Sequence, residues 1–293
     1  MKILLFGKNG QIGWELQRTL APLGEVVALG SDELDLAHTQ QIRDVLRRKQ
    51  PEIIVNAAAY TAVDRAEEES ELAMAVNARA PAMMAEQALK QGAALIHYST
   101  DYVFDGTKGA PYVETDAPNP LSQYGKSKLE GEQAIEQVGG NYLILRTSWV
   151  YGLRRDNFVM KALRWAGTQK TLRIVSDQVG SPTWSRVLAE ITALVLAKGR
   201  DDVLGWLQER SGIYHLAGKG AASRFDWAKS ILDLDPGNDH HSVEEIRPAQ
   251  AEEFPTLARR PAYSALSCDR FEEAFGLQIP DWQAALALAM GGD

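Results

Sequence analysis

Four apolar residues, Ile3-Leu4-Leu5-Phe6, run into Gly7, and glycine returns at every third position, Gly10 and Gly13, before a helix-like stretch over 14–23. No other part of the chain restricts the fold as much. A short continuous apolar run reads as a strand covered on both faces, as in a parallel sheet. Glycines at the strand-to-helix junction permit a tight turn and let the backbone approach a pyrophosphate. The helix that follows offers free N–H groups and a positive dipole end to phosphate. The pattern predicts a chain that opens on a dinucleotide-binding turn. The plain alternative is a strand-to-helix turn without a ligand.

The β–α rhythm continues. Residues 25–29, 52–56, 94–98 and 142–149 read as strands, and 40–49, 71–91 and 124–138 as helices. Past Val150 the rhythm breaks into short helices with prolines, and 212–218 reads as a last strand of the main sheet. The expected architecture is α/β: a Rossmann-type doubly wound parallel sheet with a smaller, mostly helical C-terminal substrate lobe. Residues 1–150, with returns near 184–218, form the dinucleotide-binding domain, and 151–183 and 219–293 form the substrate-binding lobe.

Composition excludes several classes. The net charge of −8 argues against a nucleic-acid partner, which calls for a basic patch. The single cysteine, Cys268, allows no internal disulfide and no zinc cluster, and suits a reducing cytoplasm. No run approaches the roughly 20 apolar residues of a membrane span, and the N-terminal run is too short for a signal peptide. A cytoplasmic protein without a membrane partner is expected.

Tyr124 and Lys128 stand four apart, one turn of a helix. A free phenol has a pKa of about 10, and an ammonium beside it favours the phenolate. Thr100 ends a strand, where a hydroxyl can donate to a carbonyl oxygen as charge develops; equally, it could bond its own backbone. Ala57-Ala58-Ala59 at another strand end leave room for a flat ligand. The second strand ends in Gly30-Ser31, with Asp32 and Glu33 only later, which favours NADPH or tolerance of both nicotinamide cofactors. Asp35 is either a helix N-cap or a cofactor contact. The segment from Asp64 to Glu71 reads as a solvated acidic turn. Trp149 could be core packing, and Arg259-Arg260 a surface charge pair.

The Gly-x-x-Gly-x-x-Gly spacing resembles the extended branch of the short-chain dehydrogenases/reductases. Over its whole length the chain resembles the dTDP-4-dehydrorhamnose reductase family. The resemblance rests on Leu5 to Gly13, Val55 to Asp64, Ser99 to Phe104, Arg146 to Tyr151, Asp177 to Thr183, Ala258 to Pro261 and Leu277 to Trp282. It implies NADPH- or NADH-dependent reduction of the C4 keto group of dTDP-4-dehydro-6-deoxy-L-mannose to dTDP-L-rhamnose. That is the last step in making this nucleotide sugar for cell-surface polysaccharide. By resemblance, Gly7, Gly10, Gln11, Ile12, Gly13, Asp35, Leu36, Ala58, Ala59, Tyr60, Tyr124 and Lys128 hold the cofactor. Tyr124 donates the proton, and Lys128 lowers its pKa and bonds the nicotinamide ribose. Thr100 and Asp101 orient the keto group, Trp149 packs beside the sugar, and Arg259 and Arg260 meet the diphosphate. Asn77 helps hold the active-site backbone.

Some members dimerise through Mg²⁺ held by carboxylates, and Glu15 and Glu190 match acidic positions there, which implies a homodimer. Arg186 stands where a further carboxylate is expected, and a cation opposes Mg²⁺, so no metal is assigned. Two other readings stay open. A nucleotide-sugar epimerase or dehydratase would share the fold, although a dehydratase calls for Asp-Glu after the threonine and Asp101 is followed by Tyr102. A non-catalytic NADP-binding regulatory subunit is the other.

Overall fold

The computed structural model describes residues 1–291. Its centre is a six-stranded sheet of β1 (Lys2–Phe6), β2 (Glu25–Leu29), β3 (Ile53–Asn56), β4 (Ala94–Thr100), β5 (Asn141–Thr147) and β6 (Gly212–His215). The strands lie in the order β2-β1-β3-β4-β5-β6 and every pairing is parallel. Side chains alternate across a strand, and both faces are buried. In β1, Ile3 and Leu5 join one core cluster while Leu4 and Phe6 join another.

Helices cover both faces. On the Ile3/Leu5 side lie α1 (Gln11–Leu20) and a long helix, Ser185–Lys198, which supply Leu16, Leu20, Leu188 and Leu196. On the other side lie α2 (Thr39–Lys49), α3 (70–91) and α4 (Gln123–Val138), which supply Ile42, Leu46, Met84 and Ile135. α3 is one helix with a π-helical turn at Ala75–Arg79 between Ser70–Met74 and Ala80–Gln91. The strand order turns back between β1 and β3, and in such sheets the crevice outside the carboxyl ends of these strands receives ligands.

A third core cluster sits beyond this sheet. Tyr151, Val159, Leu172, Trp227, Trp282 and Leu286 pack together there, largely from the helices Phe158–Ala166, Arg224–Asp233 and Trp282–Ala289. This part is less purely helical than the sequence suggests. Thr171–Val175 pairs in parallel with Glu245–Ala249, whose register includes Pro248. A proline inside a short mixed run argues against a strand, yet an edge strand tolerates one. The turn around Asp64 is not simply solvated either. Asp64 accepts from Arg260 Nη2 at 2.7 Å and from the Ala258 N–H at 3.1 Å, tying the sheet's rim to the C-terminal segment. Among the described residues, no helix is long and apolar enough to cross a membrane.

Candidate active site

A cleft of about 1700 Å³ runs along the carboxyl rim of the sheet, from the glycine turn to the third core cluster. At its first end Gly7 has φ +89, and a Cβ there would lie 2.8 Å from the Ala57 carbonyl carbon. A Cβ on Gly13 would lie 2.0 Å from the Gly7 oxygen, so only glycine lets α1 pack this close to β1. Gly10 caps α1 without any side-chain hydrogen bond, which leaves the helix N-terminal N–H groups for a ligand. Gly7, Gly10, Gln11, Ile12, Asp35, Leu36, Ala58 and Ala59 line the cleft here. These features fit a dinucleotide pyrophosphate.

Asp35 is not the helix cap, because α2 starts after His38. Its carboxylate accepts from the Ala37 N–H at 2.9 Å and meets His38 Nδ1 at 2.9 Å. At the end of β2, Glu33 folds back. It accepts the Gly30 N–H at 3.0 Å and pairs with Lys8, so a carboxylate and an ammonium both stand at the strand end. Tyr60 does not line the cleft: its hydroxyl donates to Glu69 at 2.6 Å. Gln11 Oε1 accepts from Asn157 at 3.0 Å, joining the glycine turn to the lobe beyond the sheet.

Tyr124 and Lys128 project from the first turns of α4. Ser122 caps that helix by accepting the Gly125 N–H at 3.1 Å. A Cβ on Gly125 would lie 2.3 Å from the Tyr102 oxygen, so the helix start is drawn tight against the loop after β4. Tyr102 meets Tyr124 edge-on, with ring centroids 5.7 Å apart. Burial drives the Tyr124 phenol above its usual range, and the Thr100 hydroxyl pulls the other way. Lys128 is 1% exposed, and burial lowers it to about 8. Its Nζ turns to β4, donating to the Tyr98 carbonyl at 2.7 Å and lying 3.1 Å from His97 Nε2.

Asp101 follows Thr100 and is buried. Ser264 and Ser148 donate to one carboxylate oxygen at 2.6 and 2.9 Å, and Thr100 to the other at 3.2 Å. Burial still dominates and raises this acid to about 6.

The far end is aromatic and cationic. Trp149 has φ +43, a left-handed conformation rare outside glycine. A Cβ on Gly180 would lie 2.4 Å from the Trp149 ring. The Arg224 guanidinium lies 3.6 Å from the centroid of the same ring. Arg259 and Arg260 both line the cleft, and Arg260 is paired with Asp64.

Sequence reasoning missed Arg224, Tyr102, Ser148 and Ser264. Their roles come from partners 22 to 163 positions away, and no local pattern marks them. Glu15 is held by Arg18 at 2.8 Å and approached by Arg186 at 3.5 Å, so the cation expected to oppose a metal already faces it. Among the described residues, no group of acids, histidines or cysteines clusters for a metal.

The sheet, its glycine turn and the Tyr124–Lys128 pair on the rim define a protein of the short-chain dehydrogenase/reductase type. The chain belongs to the family of the RmlD substrate binding domain, whose model matches residues 1–291. It is 44% identical to a dTDP-4-dehydrorhamnose reductase of Burkholderia thailandensis, over 99% of this chain and 98% of that one. It is 40% identical to the enzyme of that name from Escherichia coli K12, over 98% and 96%. Among solved structures, a dTDP-4-dehydrorhamnose reductase from Bacillus anthracis in complex with NADP has a TM-score of 0.88 and 34% identity, with 99% of each chain covered. A UDP-glucose 4-epimerase from Thermus thermophilus, 21% identical with a TM-score of 0.80, shares the fold, over 99% of this chain and 98% of that one.

Proposed function

We propose that this protein is an NADPH- or NADH-dependent dTDP-4-dehydrorhamnose reductase. The carrying observation is the meeting, on one rim, of a glycine turn fit for a pyrophosphate, Tyr124 beside Thr100, and a Trp149/Arg224 wall. The relatives' names supply the substrate. The bound cofactor supplies hydride to C4 of the keto sugar. Tyr124 gives its phenolic proton to the C4 oxygen as charge develops, and the Thr100 hydroxyl, whose single proton faces Asp101 here, turns that proton to the same oxygen. Asp101, fixed by two serines, keeps Thr100 in place. Residues 1–150 and 184–218 serve the cofactor, and 151–183 and 219–293 serve the sugar nucleotide.

A phenol held high by burial remains protonated at neutral pH, the state a proton donor requires. An epimerase with the same fold would instead retain and recycle its nicotinamide. The test offers dTDP-4-keto-6-deoxy-L-lyxo-hexulose with NADPH and then NADH, following cofactor oxidation. Turnover is expected, and Tyr124→Phe should lower it by roughly 10²–10⁴-fold while cofactor binding persists. Unchanged turnover in Tyr124→Phe, or a keto sugar left unreduced by wild type, defeats the reading.

A further inference from the structure

Behind Lys128 lies a chain of four groups, buried from Lys128 through His97 to Asn56 and ending at the half-buried Ala58 N–H, whose hydrogen bonds allow only certain proton placements. The Ala58 N–H donates to Asn56 Oδ1 at 3.2 Å. Asn56 Nδ2 faces His97 Nδ1 at 3.0 Å, and His97 Nε2 faces Lys128 Nζ at 3.1 Å. Asn56 and His97 are fully buried. A backbone N–H can only donate, so the Asn56 oxygen faces Ala58 and its NH₂ faces the imidazole. His97 Nδ1 must then accept. A neutral ring carries one proton, which therefore sits on Nε2 and points at Lys128. An amine accepts it; an ammonium cannot.

Protonating Lys128 changes every link. The ammonium donates to Nε2, the ring proton moves to Nδ1, and the Asn56 oxygen must turn to receive it. Asn56 then faces Ala58 with NH₂, and the Ala58 N–H loses its acceptor. Ala58 lines the cleft at the cofactor end. We propose that the charge of Lys128, the tautomer of His97 and the orientation of Asn56 form one coupled switch, in which the ammonium state releases the Ala58 N–H for a ligand. His97 and Asn56 are thus positioning residues acting through Lys128, and the catalytic consequence rests on the reductase reading above.

The surroundings support a switch at ordinary pH. Glu132 acts on Lys128 from its own helix, on which Tyr124 stands one turn earlier, His97 and the Tyr98 carbonyl face it from β4, and Arg146 of β5 neutralises Glu132. No carboxylate oxygen lies within salt-bridge distance of Lys128 among the described residues to fix it as an ammonium. Burial keeps the ring neutral, well below the usual histidine range, so the lysine and not the imidazole takes the proton.

The test uses the cofactor-free protein, so it is independent of which sugar is reduced. Nitrogen-15 NMR reads the tautomer of His97, and carbon-13 at lysine Cε reads the charge of Lys128. The signals are identified by their loss in His97→Gln and Lys128→Met. From about pH 6 to about pH 10, a range spanning the ordinary histidine and lysine values, the His97 proton should pass from Nδ1 to Nε2 at the same midpoint as Lys128 loses its charge. In Asn56→Asp both carboxylate oxygens accept, so the ring should stay protonated on Nδ1 and the Lys128 midpoint should rise by about one pH unit or more. A His97 tautomer that stays constant while Lys128 titrates in wild type overturns the proposal, as does a ring that still switches in a folded Asn56→Asp protein.

Discussion

Asn77 and Tyr60, 17 residues apart, are joined by a closed pair of hydrogen bonds: the Tyr60 N–H donates to Asn77 Oδ1 at 2.9 Å, and Asn77 Nδ2 donates to the Tyr60 carbonyl at 3.0 Å. The same amide donates to Ser127 Oγ at 3.0 Å on α4. Asn77 lies in the π-helical turn of α3, and α4 comes so close there that a Cβ on Gly131 would lie 2.1 Å from the Asn77 backbone carbonyl oxygen. One side chain thereby fixes the loop after β3 to the helix that carries Tyr124. Asn77→Ala strands the half-buried backbone N–H and C=O of Tyr60. The expected loss is about 2–4 kcal/mol of stability, read by chemical denaturation, with weaker NADPH binding read by fluorescence. A variant as stable as wild type shows that the loop does not depend on this amide.

Arg146 and Glu132 pair below the active site, 2% and 1% exposed. Arg146 Nε donates to both carboxylate oxygens at 3.0 and 3.1 Å, and Nη2 donates at 2.6 Å. Removing one partner leaves a buried charge, so Arg146→Met or Glu132→Leu alone should cost about 3–5 kcal/mol. The double substitution should recover most of it, since two apolar side chains need no desolvation. Additive losses in the double-mutant cycle contradict this account.

Asp101 gives a signed pH dependence. Its folded value is raised to about 6 from 3.8, so the folded state holds the proton more tightly than the unfolded state. That group therefore favours folding below the lower value, and the advantage is lost as pH rises through about 6. Two units correspond to about 3 kcal/mol. Asp101→Asn removes the titration. Compared with wild type, the variant should gain stability at about pH 7 relative to about pH 4 by that order, read from denaturation midpoints. A pH-independent difference means that the acid is not raised.

Gly180 touches the indole of Trp149 where a methyl group cannot fit. Gly180→Ala should displace the ring at an overpacking cost of about 1–3 kcal/mol. If the sugar packs on Trp149, KM for the keto sugar rises roughly tenfold or more, while NADPH affinity stays within twofold. An equal loss of cofactor affinity would place the damage elsewhere.

Much of the first half of the molecule was legible from sequence because its constraints are local. Ile3 to Phe6 can be buried on both faces only inside a parallel sheet, Gly7 and Gly13 fit where no Cβ can, and four-residue spacing sets Tyr124 and Lys128 on one side of α4. The strand Glu245–Ala249 was hidden because Pro248 argues against one, and only its partner Thr171–Val175 makes it an edge.

The sequence by itself determined the sheet, the glycine turn and the placing of Tyr124 and Lys128 one helical turn apart, since period, glycine placement and residue spacing act over a few positions. Tertiary structure alone decided the surroundings of these groups. It turned Lys128 toward His97, set Arg224 on Trp149, bound Arg260 to Asp64 and buried Asp101 among serines 47 and 163 residues distant. Charge and proton placement in a buried site depend on which groups meet in space, and these partners come together only when the chain folds.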